Sequence, residues 1–219
     1  MHWNAAIAAK GEHDMDIKLN FINRSDDQNN SDVLIFGKNL VAQRNALAVA
    51  WMIIQNCGRG DNHPFVFPPE IELGAIDSFG NHTPPFPAQP GQRFEMVRDR
   101  SGDVLQLSKQ PATAEYEVQN SLPGTTYITA MACKAGKPYA SVPYVGPNMI
   151  ATFAFQPVIY ICAVSSASEG GIRDTATLTD SCTELPLQGI ASADIVMTGG
   201  GPGPKATPFR FTLQNVVTA

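Results

Sequence analysis

Four side chains in the first half of the chain are of types that bind transition metals or move protons. Asp61 and His63 lie in Asp61-Asn62-His63-Pro64. Asp77 and His82 lie in the stretch that ends at Asn81-His82-Thr83. Imidazole and carboxylate together supply nitrogen and oxygen ligands, or a general base with a group to orient it. A site built from residues 56–64 and 77–91 would make the chain a metal-dependent enzyme. The spacing follows no HxH or HExxH pattern, and nothing in the sequence brings the two stretches together. Two solvated loop histidines are the alternative.

A second group is rich in oxygen: Asp26, Asp27, Asn29, Asn30 and Asp32. Calcium takes about six to eight oxygen ligands, which such a loop can provide. The EF-hand order, with its central Gly and closing Glu, is missing. A solvated turn held by Asx side-chain bonds accounts for the same residues.

Nucleophilic chemistry has less to stand on. Cys57 precedes His63 by six residues, but a thiol needs its base close in space, not in sequence. No Gly-x-Ser-x-Gly elbow is present. Gly199-Gly200-Gly201-Pro202-Gly203-Pro204 lacks the Lys-Ser/Thr ending of a phosphate loop, and its prolines remove amide donors. A wide hairpin loop is the expectation there. Cys57, Cys133, Cys162 and Cys182 form no CxxC pair, which disfavours a zinc knuckle or a thioredoxin-type site. Cys133 and Cys162 sit in apolar runs and read as buried thiols that act as small hydrophobes. Two disulfides would require export. No cofactor is expected.

Three aromatics, Phe65, Phe79 and Phe86, stand in or near proline-rich loops and outside the alternating runs. Such rings either grip a sugar, a lipid surface or another subunit, or tuck under their own loop.

The elements that position these residues read as strands. Short apolar or alternating runs recur along the chain, cut apart by Gly, Pro, Asn and Asp, in about fourteen candidates. Residues 17–23 alternate, 33–36 are continuously apolar, and 158–164 are strongly apolar. The segment 45–58 has both helical and alternating spacing. Its Val, Trp and Ile content favours a strand. Residues 77–91 carry four prolines and cannot form an interior strand. Ser101-Gly102 marks a hairpin. Weaker strands are expected at 175–179 and 184–187. No repeat of 20–50 residues is present, which removes a propeller or solenoid.

The expected fold is all-β: a two-sheet antiparallel β-sandwich, immunoglobulin/fibronectin-like in general architecture. Leu122-Pro123-Gly124-Thr125-Thr126-Tyr127 resembles the turn before strand F in fibronectin type III domains. That resemblance, limited to six residues, implies a Tyr127 hydroxyl bonded back to backbone at a sheet corner. One domain over 15–219 is expected, with two smaller sandwiches, 15–110 and 111–219, as the alternative. Residues 1–14 read as a flexible extension, unless the chain starts at Met15.

Composition narrows the function classes. Hydrophobic content is 43%, enough for a core, while charged content is only 16%, against about 25% in typical domains. The net charge is −5 and Lys and Arg are scattered. Phosphate contacts need clustered bases, so no nucleic-acid partner is expected, nor a polybasic membrane anchor. No run approaches the length of a spanning helix. The absence of a signal-peptide pattern makes a soluble, cytoplasmic protein the default, with signal-independent export the alternative. The leading functional expectation is a non-catalytic binding or assembly protein. It would use its loops on a carbohydrate, a membrane surface or another copy of itself. Residues 56–64 and 77–91 interrupt the strand rhythm and are where function is expected.

Overall fold

The computed structural model describes residues 15–43, 46–124, 126–164, 172–173 and 182–219. The extension expected at 1–14 and the strand expected at 175–179 lie outside these residues. Everything described is strand, turn or loop apart from one 3-10 turn, so the all-β class holds. In chain order the first strands are β1 (Ile17–Asn23), β2 (Asp32–Phe36), β3 (Leu47–Ile54), β4 (Asn62–Phe67), β5 (Ile71–Ile76) and β6 (Phe86–Ala88). Next come β7 (Gln92–Arg98), β8 (Asp103–Leu107), β9 (Tyr116–Asn120), β10 (Ile128–Lys134), β11 (Lys137–Val145) and β12 (Ile150–Phe153). The last are β13 (Val158–Val164), β14 (Ile172–Arg173), β15 (Thr183–Pro186), β16 (Ile190–Gly200) and β17 (Thr207–Thr218).

These strands form three hydrogen-bonded sheets, where two were expected. The central sheet runs β15-β13-β2-β3-β11-β10-β5-β6, with β14 added on β3. One flanking sheet is β17-β16-β1-β4, and the other is β12-β9-β7-β8. Pairing is mostly antiparallel, but β1–β16 and β7–β9 are parallel. Alternation along a strand reports which face is buried and is blind to partner direction, so the parallel pairs leave no mark in the sequence. Every sheet draws strands from both sides of residue 110.

Local sequence explains most elements. The 45–58 segment is strand β3, as its β-branched and aromatic content indicates. Asp99 accepts from the backbone and hydroxyl of Ser101, and Gly102 takes φ 131° to close the β7–β8 hairpin. The proline-rich stretch contributes only β6, a three-residue edge strand on β5, as missing amide donors require. The Gly-rich stretch ends β16 and turns through a 3-10 segment into β17.

An aromatic cluster fills the core where β4 faces the central sheet. Trp51 on β3 meets Phe67 edge-on at 5.5 Å and Tyr139 on β11 at 6.4 Å, and Tyr139 lies 5.1 Å from Phe155. Edge-to-face pairs of this kind add about 0.5–1.5 kcal/mol each to what their burial contributes. Gly37, just after β2, lies flat against the Tyr139 ring. A Cβ there would sit 1.9 Å from Tyr139 Cζ, so no other residue fits without moving the ring.

The tyrosine corner implied by the six-residue resemblance does not form. Tyr127 is 54% exposed, and among the described residues its hydroxyl has no hydrogen-bond partner. The bonds at that turn come from Asn120 instead, whose side-chain amide donates to the carbonyls of Thr126 and Val145 at 2.8 Å each.

Candidate functional site

Asp61 and His63 stand together, Asp61 at the end of the loop and His63 just inside the following strand. His63 lies in β4, paired with Phe21 of β1, and it is exposed because it sits at the strand's open end. Asn62 and Pro64 belong to the same strand; Pro64 is tolerated because β4 is an edge strand. Asp61 precedes it and accepts from the Gly58 amide at 3.0 Å through Oδ2. Asn23 fixes the loop to β1: its side chain donates to the Cys57 carbonyl at 2.7 Å. Cys57, Asp61 and His63 line one polar recess of about 340 Å³. Its chemistry is not that of an activated thiol. Burial pushes the Cys57 thiol up, and the Asp61 charge pushes it further the same way. A nucleophilic thiol needs the opposite.

Asp77 and His82 occupy the next loop. Asp77 Oδ1 accepts from the amides of Phe79 and Asn81 at 2.8 Å each, and Oδ2 accepts from the Asn81 side chain at 2.8 Å. Burial is the largest single influence and raises the Asp77 carboxyl, but these hydrogen bonds together more than reverse it, leaving it below its ordinary value. The carboxylate organises its own loop. His82 is exposed and bridges Ile76 at the end of β5. Among the described residues, no three of His, Cys, Asp and Glu lie together in a group able to hold a metal.

The oxygen-rich loop is likewise turned on itself. Asp27 accepts from the amides of Asn29 at 2.9 Å and Ser31 at 2.6 Å. Asp26 accepts from Gln28 at 3.0 Å and from Arg59 at 3.4 Å, and Asp32 accepts from Gln55 at 3.3 Å. Asn30 takes φ 49° and reaches Asn56 at 3.2 Å. The Asp27 bonds are the Asx bonds of a turn, and the side-chain contacts to Gln55, Asn56 and Arg59 tie that turn to the segment after β3. The Gly-rich stretch closes on the same loop: Gly201 N–H donates to the Asp26 carbonyl at 2.8 Å, and Asp26 N–H to Gly199 at 2.7 Å. Its amides therefore bind backbone.

The three aromatics separate. Phe65 is a core residue of β4, 6.3 Å from Trp51. Phe86, on β6, stacks on Phe94 at 6.0 Å. Phe79 remains at a loop tip, 78% exposed.

A different place gathers apolar and charged groups in one half-open recess. Where all three sheets meet is a cavity of about 320 Å³, within the range of small-ligand sites. Ile17, Phe67 and Ile190 come to it from one flanking sheet, Tyr116 from the other, and Ile71 and Lys134 from the central sheet. Phe155 and Leu187 complete the apolar wall, with Glu115, Gln156 and Gln188 as polar members.

Lys134, the last residue of β10, is 4% exposed. Its Nζ donates to the carbonyls of Pro68 at 2.6 Å and Pro69 at 3.1 Å. It also lies 4.6 Å from the centre of the Phe67 ring and 5.4 Å from that of Tyr139. Burial lowers its pKa to about 8, with the charge of Glu70 opposing this. The ammonium is thus caged by carbonyl dipoles and ring faces. No sequence signal marks Lys134. It is a single lysine before Ala135-Gly136, where a solvated hairpin residue is the ordinary reading. Its burial depends on Pro68 and Pro69, some 66 residues away along the chain.

Set against known protein families, curated proteins and solved structures, the chain matches none.

Proposed function

We propose that this chain is a non-catalytic binding protein, and that its site is the cavity beside Lys134, not the two loop stretches. The carrying observation is the recess itself: a half-open, mostly apolar cavity with the buried Lys134 among its lining residues. Apolar walls with a few fixed polar groups are the usual make-up of a small-molecule site. The reading includes a single domain over 15–219, in which the flanking sheets pack on the central one in sandwich fashion. Strand exchange across residue 110 in every sheet supports the single domain. Loop capture of a carbohydrate or membrane surface has only Phe79 to carry it. The metal-dependent reading lacks a gathered ligand set among the described residues.

Self-association has one observation in its favour. β17 is a twelve-residue strand at the end of its sheet, largely exposed, with Arg210 its only charged residue. Long edges with few charges invite pairing with another copy.

The test is amide-resolved NMR titration with 3-phenylpropanol and 3-phenylpropionate. Shifts confined to Phe67, Ile71, Lys134 and Phe155 support the reading, and their loss on Ile190→Trp strengthens it. Shifts confined to the 77–91 loop would refute it.

A further inference from the structure

Lys134 brings a positive charge to the cavity wall, and among the described residues no carboxylate lies within salt-bridge distance of it; the charge of Glu70 acts from further away. Its hydrogen-bond acceptors are two carbonyl oxygens and its ring contacts are two aromatic faces, all of them neutral. Ion pairs among the described residues include those of Arg59, Arg93 and Arg98. Two of the three ammonium protons are taken by carbonyls, which leaves one for a ligand. A buried cation hydrogen-bonded only to neutral dipoles carries a desolvation penalty that an opposite charge in direct contact offsets.

The charged and titratable groups around it do not fill that role. Glu70 is exposed and acts on Lys134 through its charge, outside salt-bridge distance. Glu72 accepts from the Gly136 amide at 2.7 Å. Glu115 is exposed at the cavity and accepts from the Phe155 amide at 3.2 Å. Lys137 pairs with Lys134 across the hairpin. Tyr139 is fully buried, which pushes its phenol up and keeps it neutral.

We infer that the cavity takes an anionic amphiphile: a carboxylate seated against Lys134 Nζ, with an apolar body among Phe67, Ile71, Phe155 and Leu187. This rests on the reading of the cavity as the binding site. The volume of about 320 Å³ suits a body the size of one aryl ring or a short alkyl chain.

The experiment is calorimetric titration of the full chain, near neutral pH, with 3-phenylpropionate and with its neutral counterpart 3-phenylpropanol. The acid is expected to bind at least about tenfold more tightly, roughly the effect of one partly desolvated charge pair. Lys134→Met is expected to abolish that preference while leaving alcohol binding intact. In the native protein the preference should decline as the pH passes about 8, where Lys134 loses its charge. That titration decides the matter if the variant does not fold. Equal binding of acid and alcohol, or a preference unchanged between about pH 6 and 10, overturns the carboxylate and leaves the cavity reading standing. Failure of both compounds to bind overturns the cavity reading itself.

Discussion

The indole N–H of Trp51 donates to the carbonyl oxygen of Lys134 at 3.1 Å. This bond ties the middle of β3 to the end of β10, with β11 between them in the sheet. It fixes the backbone from which the Lys134 side chain reaches Pro68 and Pro69. Trp51 also presses edge-on against Phe67, the ring that lies under the ammonium. The cavity lysine is therefore positioned by the aromatic core and not by a surface loop. Trp51→Phe keeps most of the packing and removes the donor. It should cost about 1–2 kcal/mol in urea denaturation, the cost of leaving a buried carbonyl unsatisfied.

Burial of Lys134 has a pH signature. Its folded pKa of about 8 lies below the ordinary lysine value of 10.5. Above 10.5 both states are neutral and there is no penalty. As pH falls toward 8, the unfolded chain takes up a proton that the folded chain does not, and stability is lost. The stability of the native chain minus that of Lys134→Met should therefore rise from pH 8 to 10.5. Taking the difference removes the opposing contributions of Cys133, pushed up to about 11 by burial, and of Tyr139. A flat difference would mean that Lys134 is solvated.

Gly37→Ala should destabilise the fold by about 3 kcal/mol or more, at or beyond the upper end for overpacking. The added methyl meets the Tyr139 ring at 1.9 Å, and that ring is fully buried. In a Tyr139→Ala background, itself destabilised, Gly37→Ala should cost much less than in the native chain if the clash is the cause. A neutral Gly37→Ala, measured by thermal melting, would contradict the packing described.

Arg93 and Glu117 face each other across the parallel β7–β9 pair at 2.7 Å, both buried. Burial raises the Glu117 carboxyl, but hydrogen bonds from Thr113 and Arg93 outweigh this and hold it below its ordinary value. Its contribution is therefore present above the ordinary carboxylate range and lost as pH falls through the lowered value. Glu117→Ala strands the guanidinium and should cost about 3–5 kcal/mol, whereas replacing both residues with apolar ones should cost less. Equal costs would remove the pair's role.

Cys57 should alkylate slowly with iodoacetamide at neutral pH. Asp61→Asn should quicken it by removing the charge that helps to hold the thiol protonated. His63→Ala should leave the rate unchanged. A loss of reactivity on that change would revive a thiol–imidazole pair.

The fold class was legible because burial imprints period two on half-buried strands such as β1, where Ile17, Leu19 and Phe21 point inward while Lys18 does not, and continuous apolar runs on buried ones such as β2. The rank order of strands was not legible, since a parallel partner such as β16 for β1 shows no different pattern. Asp61 and His63 were legible as neighbours, and the structure places them in one recess. The cavity was not legible. Its walls come from core residues such as Phe67 and Ile71, which look like any other core residues in sequence. Its one charge, Lys134, is set apart only by what folding places around it.

The most direct test of the cavity as the binding site is a crystal structure of the protein soaked with 3-phenylpropionate. The account predicts the ring between Phe67 and Phe155, with a carboxylate oxygen within hydrogen-bond distance of Lys134 Nζ, about 3 Å. An empty cavity, with the compound bound at the Phe79 loop or nowhere, would contradict it.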